Sequence, residues 1–186
     1  MASAVAERMV ESAIVLLARH GFQKTSFSDV LAESGAPRGS IYHHFPGGKE
    51  QLIAAAMQVA GSRAVQLIEA LRGMPATDVV DGFMMIGRVI LEDSRLSAGC
   101  SIVAVTVSSG SDELLEQAGV VFRSWQERLT ELLELGGMST DQAGPFATLM
   151  IASSEGGIVL SRAQQSLEPF NAVHQQLRHL LDQSHQ

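Results

Sequence analysis

Between Glu33 and Glu50 the chain carries Arg38, Ser40, Tyr42, His43, His44 and Lys49, and no acid. Guanidinium, ammonium, hydroxyl, imidazole and phenol groups in one acid-free stretch are mostly hydrogen-bond donors with positive character. Shown together on one face, they suit phosphate oxygens and base edges. Gly39 lets the backbone come close to a partner. Upstream, Ser26 with Asp29 three residues later is an acidic variant of the capping box and marks the start of a helix. An ordinary solvated helical hairpin would carry the same cap and turn, so from these residues alone both readings stand.

The elements that would position this set follow from periodicity and punctuation. Val5, Met9, Ala13, Leu16 and Leu17 recur at helical spacing from about Ser3 to His20, with Gly21 as the stop. The helix opened by Ser26 ends after about two turns at Ser34-Gly35-Ala36-Pro37. A third short helix, Arg38 to Phe45, is closed by Pro46-Gly47-Gly48. Helices this short need packing to persist. Phe27, Leu31, Ile41 and Phe45 are expected to face inward, leaving Arg38, Gly39, Ser40, Tyr42, His43 and His44 outward. Two short helices around a glycine-containing turn, on a longer first helix, match a helix-turn-helix module.

Further helices are expected from Lys49 to Leu71, Asp78 to Glu92, Asp112 to Leu135, Thr140 to Gln165 and Pro169 to Leu181. The Asp78 to Glu92 stretch is apolar almost all round and should be buried on most sides. Cys100 to Val107 holds Ile102, Val103, Val105 and Val107, which suit a strand. A lone strand would have no partner, so a short buried helix is expected there. The fold class is therefore all-α.

Composition bounds the rest. Net charge is −7, which alone argues against a polyanionic partner. Residues 1–50, however, hold five bases and five acids, so the whole excess of acid lies beyond them. Cys100 is the single cysteine, which excludes an internal disulfide and a cysteine-based zinc site and fits a reducing compartment. Its apolar surroundings suit an inert buried thiol. No apolar run approaches the roughly 18 residues of a membrane span, and Ala13 to Ala18 is too short for a signal peptide. A cytoplasmic protein with no membrane partner is expected. Gly48-Lys49 is not a phosphate loop, because His43 and Glu50 stand where glycine and Ser or Thr are needed. The histidines form no ligand pair at i, i+4, and no nucleophile elbow or dinucleotide turn is present. No metal site, cofactor or catalytic residue is expected.

Thr25-Ser26-Phe27-Ser28-Asp29-Val30, Ser34-Gly35-Ala36-Pro37-Arg38-Gly39-Ser40-Ile41-Tyr42-His43-His44-Phe45 and Lys49-Glu50-Gln51-Leu52 resemble the DNA-binding domain of TetR-family repressors. The match covers about the first 55 residues. Gly99-Cys100 and the apolar run after it resemble the LmrA/YxaF-like branch. The resemblance implies an all-helical homodimer of about nine helices per subunit, with a variable C-terminal ligand pocket. By position, Thr25 and Lys49 would hold phosphates, and Tyr42 would hold phosphate while bracing its helix. Arg38, Ser40 and His44 would read base edges, with His43 beside them; Ser26 and Gly39 complete the set. Two departures stand out. Pro37 replaces a frequent serine, and Pro46-Gly47-Gly48 is one residue longer than the usual link to the lysine.

The expected division is a helix-turn-helix domain at 1–48 and a ligand-binding and dimerisation domain at 49–186. Phe83, Met84, Phe122, Trp125 and Met150, with Cys100 and Val103, are the candidate lining of an adjustable apolar cavity, although each alone would serve equally well as core. Glu155 is either a ligand contact or a solvated side chain. The acidic domain favours neutral or cationic effectors over anions. Leu149, Ser153, Gly156, Leu160, Ala163 and Leu167 form one helical stripe, and Phe170, Val173, Leu177 and Leu180 a second. Paired about a two-fold axis, these last two helices would make a four-helix dimer interface. The expected activity is ligand-responsive repression at a palindromic double-stranded operator. The rival is a helical carrier or enzyme for a hydrophobic molecule, with the hairpin only structural.

Overall fold

A computed structural model describes residues 4–184, in nine helices and no strand among the described residues. They are α1 (Ala4–His20), α2 (Phe27–Ser34), α3 (Ser40–His44), α4 (Gly48–Glu69), α5 (Ala76–Asp93), α6 (Ser101–Thr106), α7 (Asp112–Leu135), α8 (Thr140–Gln164) and α9 (Glu168–Ser184). Ser3, the expected start of the first helix, lies outside the described residues. The chain forms two compact units. One takes the described residues up to Ser62 with Cys100–Val121, and the other Arg63–Gly99 with Phe122–Gln186.

In the first unit α1 buries Met9, Val10, Ala13, Leu16 and Leu17 and packs against α2 and α6. The capping box starts α2 as its residues require: the Asp29 amide donates to Ser26 Oγ at 3.2 Å and the Ser26 amide to Asp29 Oδ2 at 3.0 Å. Gly35 ends α2 at φ 63°, a left-handed conformation that glycine adopts without strain. The β-branched run folds as α6, because Ile102 and Val105 bury themselves in this unit and overrule strand propensity. The α6–α7 segment is tied to the N-terminal helices. Gln23 Nε2 donates to the Ser108 carbonyl at 3.0 Å, and Ser111 Oγ donates to Glu50 Oε2 at 3.2 Å.

The second unit centres on α5, α8 and α9. Phe170 of α9 is 1% exposed and lies against Gly87 and Gly157, where an added Cβ would come within 2.8 and 3.1 Å of its ring. Burying such a side chain contributes about 1.5–3 kcal/mol. Leu177 is buried too, so half of the expected α9 dimer stripe serves this subunit's own core. The α8 stripe points outward: Leu149, Gly156, Leu160 and Ala163 are exposed. Against expectation, α5 is not buried all round; Met85 and Val89 are exposed while Val79, Val80, Met84 and Leu91 are buried. By length and composition α8 alone among the described helices could cross a membrane. It instead buries Ala143, Ala147, Met150, Ser154, Gly157, Ile158 and Ser161 and carries Pro145, Glu155 and Arg162, as a core helix of a helical bundle does.

Candidate nucleic-acid interface

The short α3 is held by Ile41 and Phe45, which are 0% and 5% exposed, so its remaining residues must face away from the core. Arg38, Gly39, Tyr42 and His43 are exposed, and Ser40 and His44 are half-buried. Phe27 and Leu31, expected inward, are only half-buried, because they also border a groove between α2 and α3. This groove, of about 470 Å³, is lined by Phe27, Ser28, Leu31, Ala32, Ala36, Arg38, Ile41 and Tyr42. The Tyr42 ring, 69% exposed overall, meets the Phe27 ring edge-on at 5.6 Å, which fixes its direction while leaving it in solvent. His43 stacks edge-on with His44 at 5.2 Å. Ser40 Oγ donates to the Pro37 carbonyl at 2.6 Å, so as held it presents acceptor lone pairs outward.

Other expected contacts are engaged by the fold. Thr25 is 1% exposed and its hydroxyl donates to the Gly21 carbonyl at 2.9 Å, fixing the α1–α2 turn. Ser26 Oγ donates to Asp29 Oδ2 at 2.5 Å. These hydrogen bonds keep the Asp29 carboxyl below its ordinary range, with smaller help from His20 and Lys49. Lys49 Nζ donates to the Phe22 carbonyl at 2.7 Å and lies 4.2 Å from the centre of the Phe22 ring. Partial burial lowers the pKa of its ammonium, opposed by Asp29. The extra residue in the Pro46-Gly47-Gly48 link is absorbed by Gly48 at φ 80°, whose amide bonds to the Phe45 carbonyl at 3.0 Å. Phe22 was not legible as a site residue; the one local signal is an aromatic side chain beside Gly21 in a polar stretch.

The candidate ligand residues fall in both units. Cys100 and Val103 belong to the first, and Phe83, Met84, Phe122, Trp125, Met150 and Glu155 to the second. Phe83, Met84, Trp125 and Met150 are buried, whereas Cys100, Val103, Phe122 and Glu155 are half-buried. The Phe122 and Trp125 rings meet edge-on at 5.3 Å. Among the described residues no three His, Cys, Asp or Glu side chains are grouped as a metal ion would need.

A capped α2, a short α3 presenting Arg38, Tyr42 and His43, and an all-helical remainder define a helix-turn-helix transcriptional regulator. Residues 10–56 match the bacterial regulatory proteins of the tetR family, and residues 76–176 match the C-terminal domain of LmrA/YxaF-like transcriptional regulators. The chain belongs to the TetR family, in its LmrA/YxaF-like group. It is similar to an HTH-type transcriptional regulator of Mycobacterium tuberculosis, 37% identical over 94% of this chain and 93% of that one. It is 28% identical to the HTH-type regulator LmrA of Bacillus subtilis, over 88% of this chain and 89% of LmrA. A TetR regulator from Legionella pneumophila shares the fold, with a TM-score of 0.85, 23% identity and 98% coverage of both chains. These relatives are transcriptional regulators, not enzymes.

Proposed function

We propose that the chain is a repressor that binds a palindromic operator as a homodimer and is released by a small apolar, neutral or cationic effector. The observation that carries this reading is the acid-free face of α3, where Arg38, Tyr42 and His43 stand in solvent on a helix anchored by Ile41 and Phe45. In this reading Arg38, Ser40 and His44 contact base edges with His43 beside them, Tyr42 and Lys49 hold phosphates, and Gly39 lets the backbone approach. Thr25 and Ser26 act by fixing the turn and cap beneath them. Residues 1–48 form the reading head and 49–186 the part that senses and dimerises. The exposed stripe Leu149, Gly156, Leu160 and Ala163 on α8, with Leu180 on α9, supports pairing through the last two helices. Phe83, Met84, Phe122, Trp125, Met150 and Glu155 supply the candidate effector surface of the second unit. Release requires the effector to favour the DNA-free conformation by about 1–3 kcal/mol, as in typical allosteric coupling. A protein acting on chromosomal DNA works in the cytoplasm.

Selection from a randomised duplex library, with the full chain at physiological salt, tests the reading. An inverted repeat should emerge, with two half-sites about one helical turn apart. Recovery of no preferred sequence would overturn it.

A further inference from the structure

Lys49 is the second residue of α4, yet its side chain reaches back 27 positions to the turn after α1. Its ammonium is held twice there by one residue, through the Phe22 carbonyl at 2.7 Å and the Phe22 ring at 4.2 Å. The same carbonyl accepts the Thr25 amide at 3.3 Å, which locks its direction. The Thr25 hydroxyl, bonded to Gly21, braces the turn from below. At the other end, Gly47 N donates to Gln51 Oε1 at 2.8 Å, fixing the lengthened link that leads into Lys49. A lysine side chain otherwise spreads over many rotamers and loses that freedom when it binds. An ammonium has three N–H donors, and the carbonyl takes one of them.

We propose that Phe22 is a positioning residue for DNA binding: its carbonyl and ring hold the Lys49 ammonium at the α1–α2 turn, oriented to take a phosphate oxygen. This rests on the assignment of Lys49 to a phosphate contact. A neighbouring carboxylate would cancel the charge being presented. The nearest, Asp29, is instead committed to the Ser26 cap through two hydrogen bonds. Phe22 holds the cation without neutralising it, since a carbonyl and a ring face carry no net charge.

The test is a double-mutant cycle on the full-length protein, measuring affinity for its selected duplex from about 50 to 200 mM salt. K49Q should weaken binding and flatten the log–log salt slope by about one unit. F22L should weaken binding about two- to fivefold and F22Y should restore it, the range expected for an exposed cation–π contact. On the K49Q background F22L should cost nothing more. If K49Q leaves the slope unchanged, the phosphate assignment falls and the proposal with it. If K49Q flattens the slope but F22L costs the same on both backgrounds, the role of Phe22 alone is overturned. Should F22L not fold, NMR of the parent decides. The Lys49 ε-methylene protons should be shifted upfield by the ring, and normal shifts would refute the hold.

Discussion

Tyr42 carries two assigned roles that one pair of substitutions separates. Its ring meets Phe27 edge-on at 5.6 Å, while 69% of the residue is exposed. Tyr42→Phe keeps the ring and removes only the hydroxyl. No fold contact is lost, so stability should stay within about 0.5 kcal/mol of the parent. A hydrogen bond to a charged group contributes about 1.5–3 kcal/mol when sheltered. At so exposed a position about 1 kcal/mol per subunit is reasonable. A homodimer on two half-sites loses it twice, so affinity should fall by about 2 kcal/mol, roughly 30-fold. The salt slope should not change, because a neutral phenol releases no counterion. Tyr42→Ala also removes the ring pair, worth about 0.5–1 kcal/mol, which the better helix propensity of alanine offsets by about 0.5 kcal/mol. Its stability should therefore fall only slightly, while binding falls further than in Tyr42→Phe. Thermal melts and fluorescence anisotropy at several salt concentrations measure both quantities. Parental affinity in Tyr42→Phe would show that the residue only packs.

Other outcomes follow from single contacts. Ser161 is fully buried and its hydroxyl accepts the Phe170 amide at 3.1 Å; Ser161→Ala should cost about 1–3 kcal/mol, seen as a drop of roughly 2–4 °C in Tm per kcal/mol. Gly156 is exposed with no atom within 4 Å of an added Cβ, so Gly156→Trp should fold normally, sediment as a monomer and lose the operator. An intact dimer would contradict the interface. Trp125 is the single tryptophan, so an apolar effector binding beside it should change its fluorescence. At one hundred times its dissociation constant, the effector should stabilise the protein by about 2.7 kcal/mol. A diverse set of apolar and cationic compounds that produced neither change would argue against an effector site there.

Much of the fold was legible because its signals are local. Ser26 and Asp29 mark the start of α2, Gly35 its end, and Ile41 with Phe45 the anchored side of α3. What stayed hidden depends on partners far away in sequence. The run Ile102 to Val107 reads as a strand until Ile102 and Val105 find a buried place in the first unit. The exposure of Met85 and Val89 on α5, and the inward turn of Phe170 and Leu177 on α9, are decided by which helices pack where. At the site, residue type and spacing picked out Arg38, Tyr42 and His43, which are exposed. They could not show that the Thr25 hydroxyl folds under the turn, or that Phe22 captures Lys49 from 27 residues away.

The central claim is that the face of α3 reads base sequence. Its most direct test is the ratio of affinities for the selected duplex and a scrambled one, at one fixed salt concentration, for the parent and Arg38→Ala. The parent should favour the selected duplex by about 10³-fold or more. Arg38→Ala should lose about 1–3 kcal/mol on that duplex and little on the scrambled one, so that the ratio collapses toward unity. An equal loss on both duplexes, or none on either, would contradict the assignment of this face to sequence recognition.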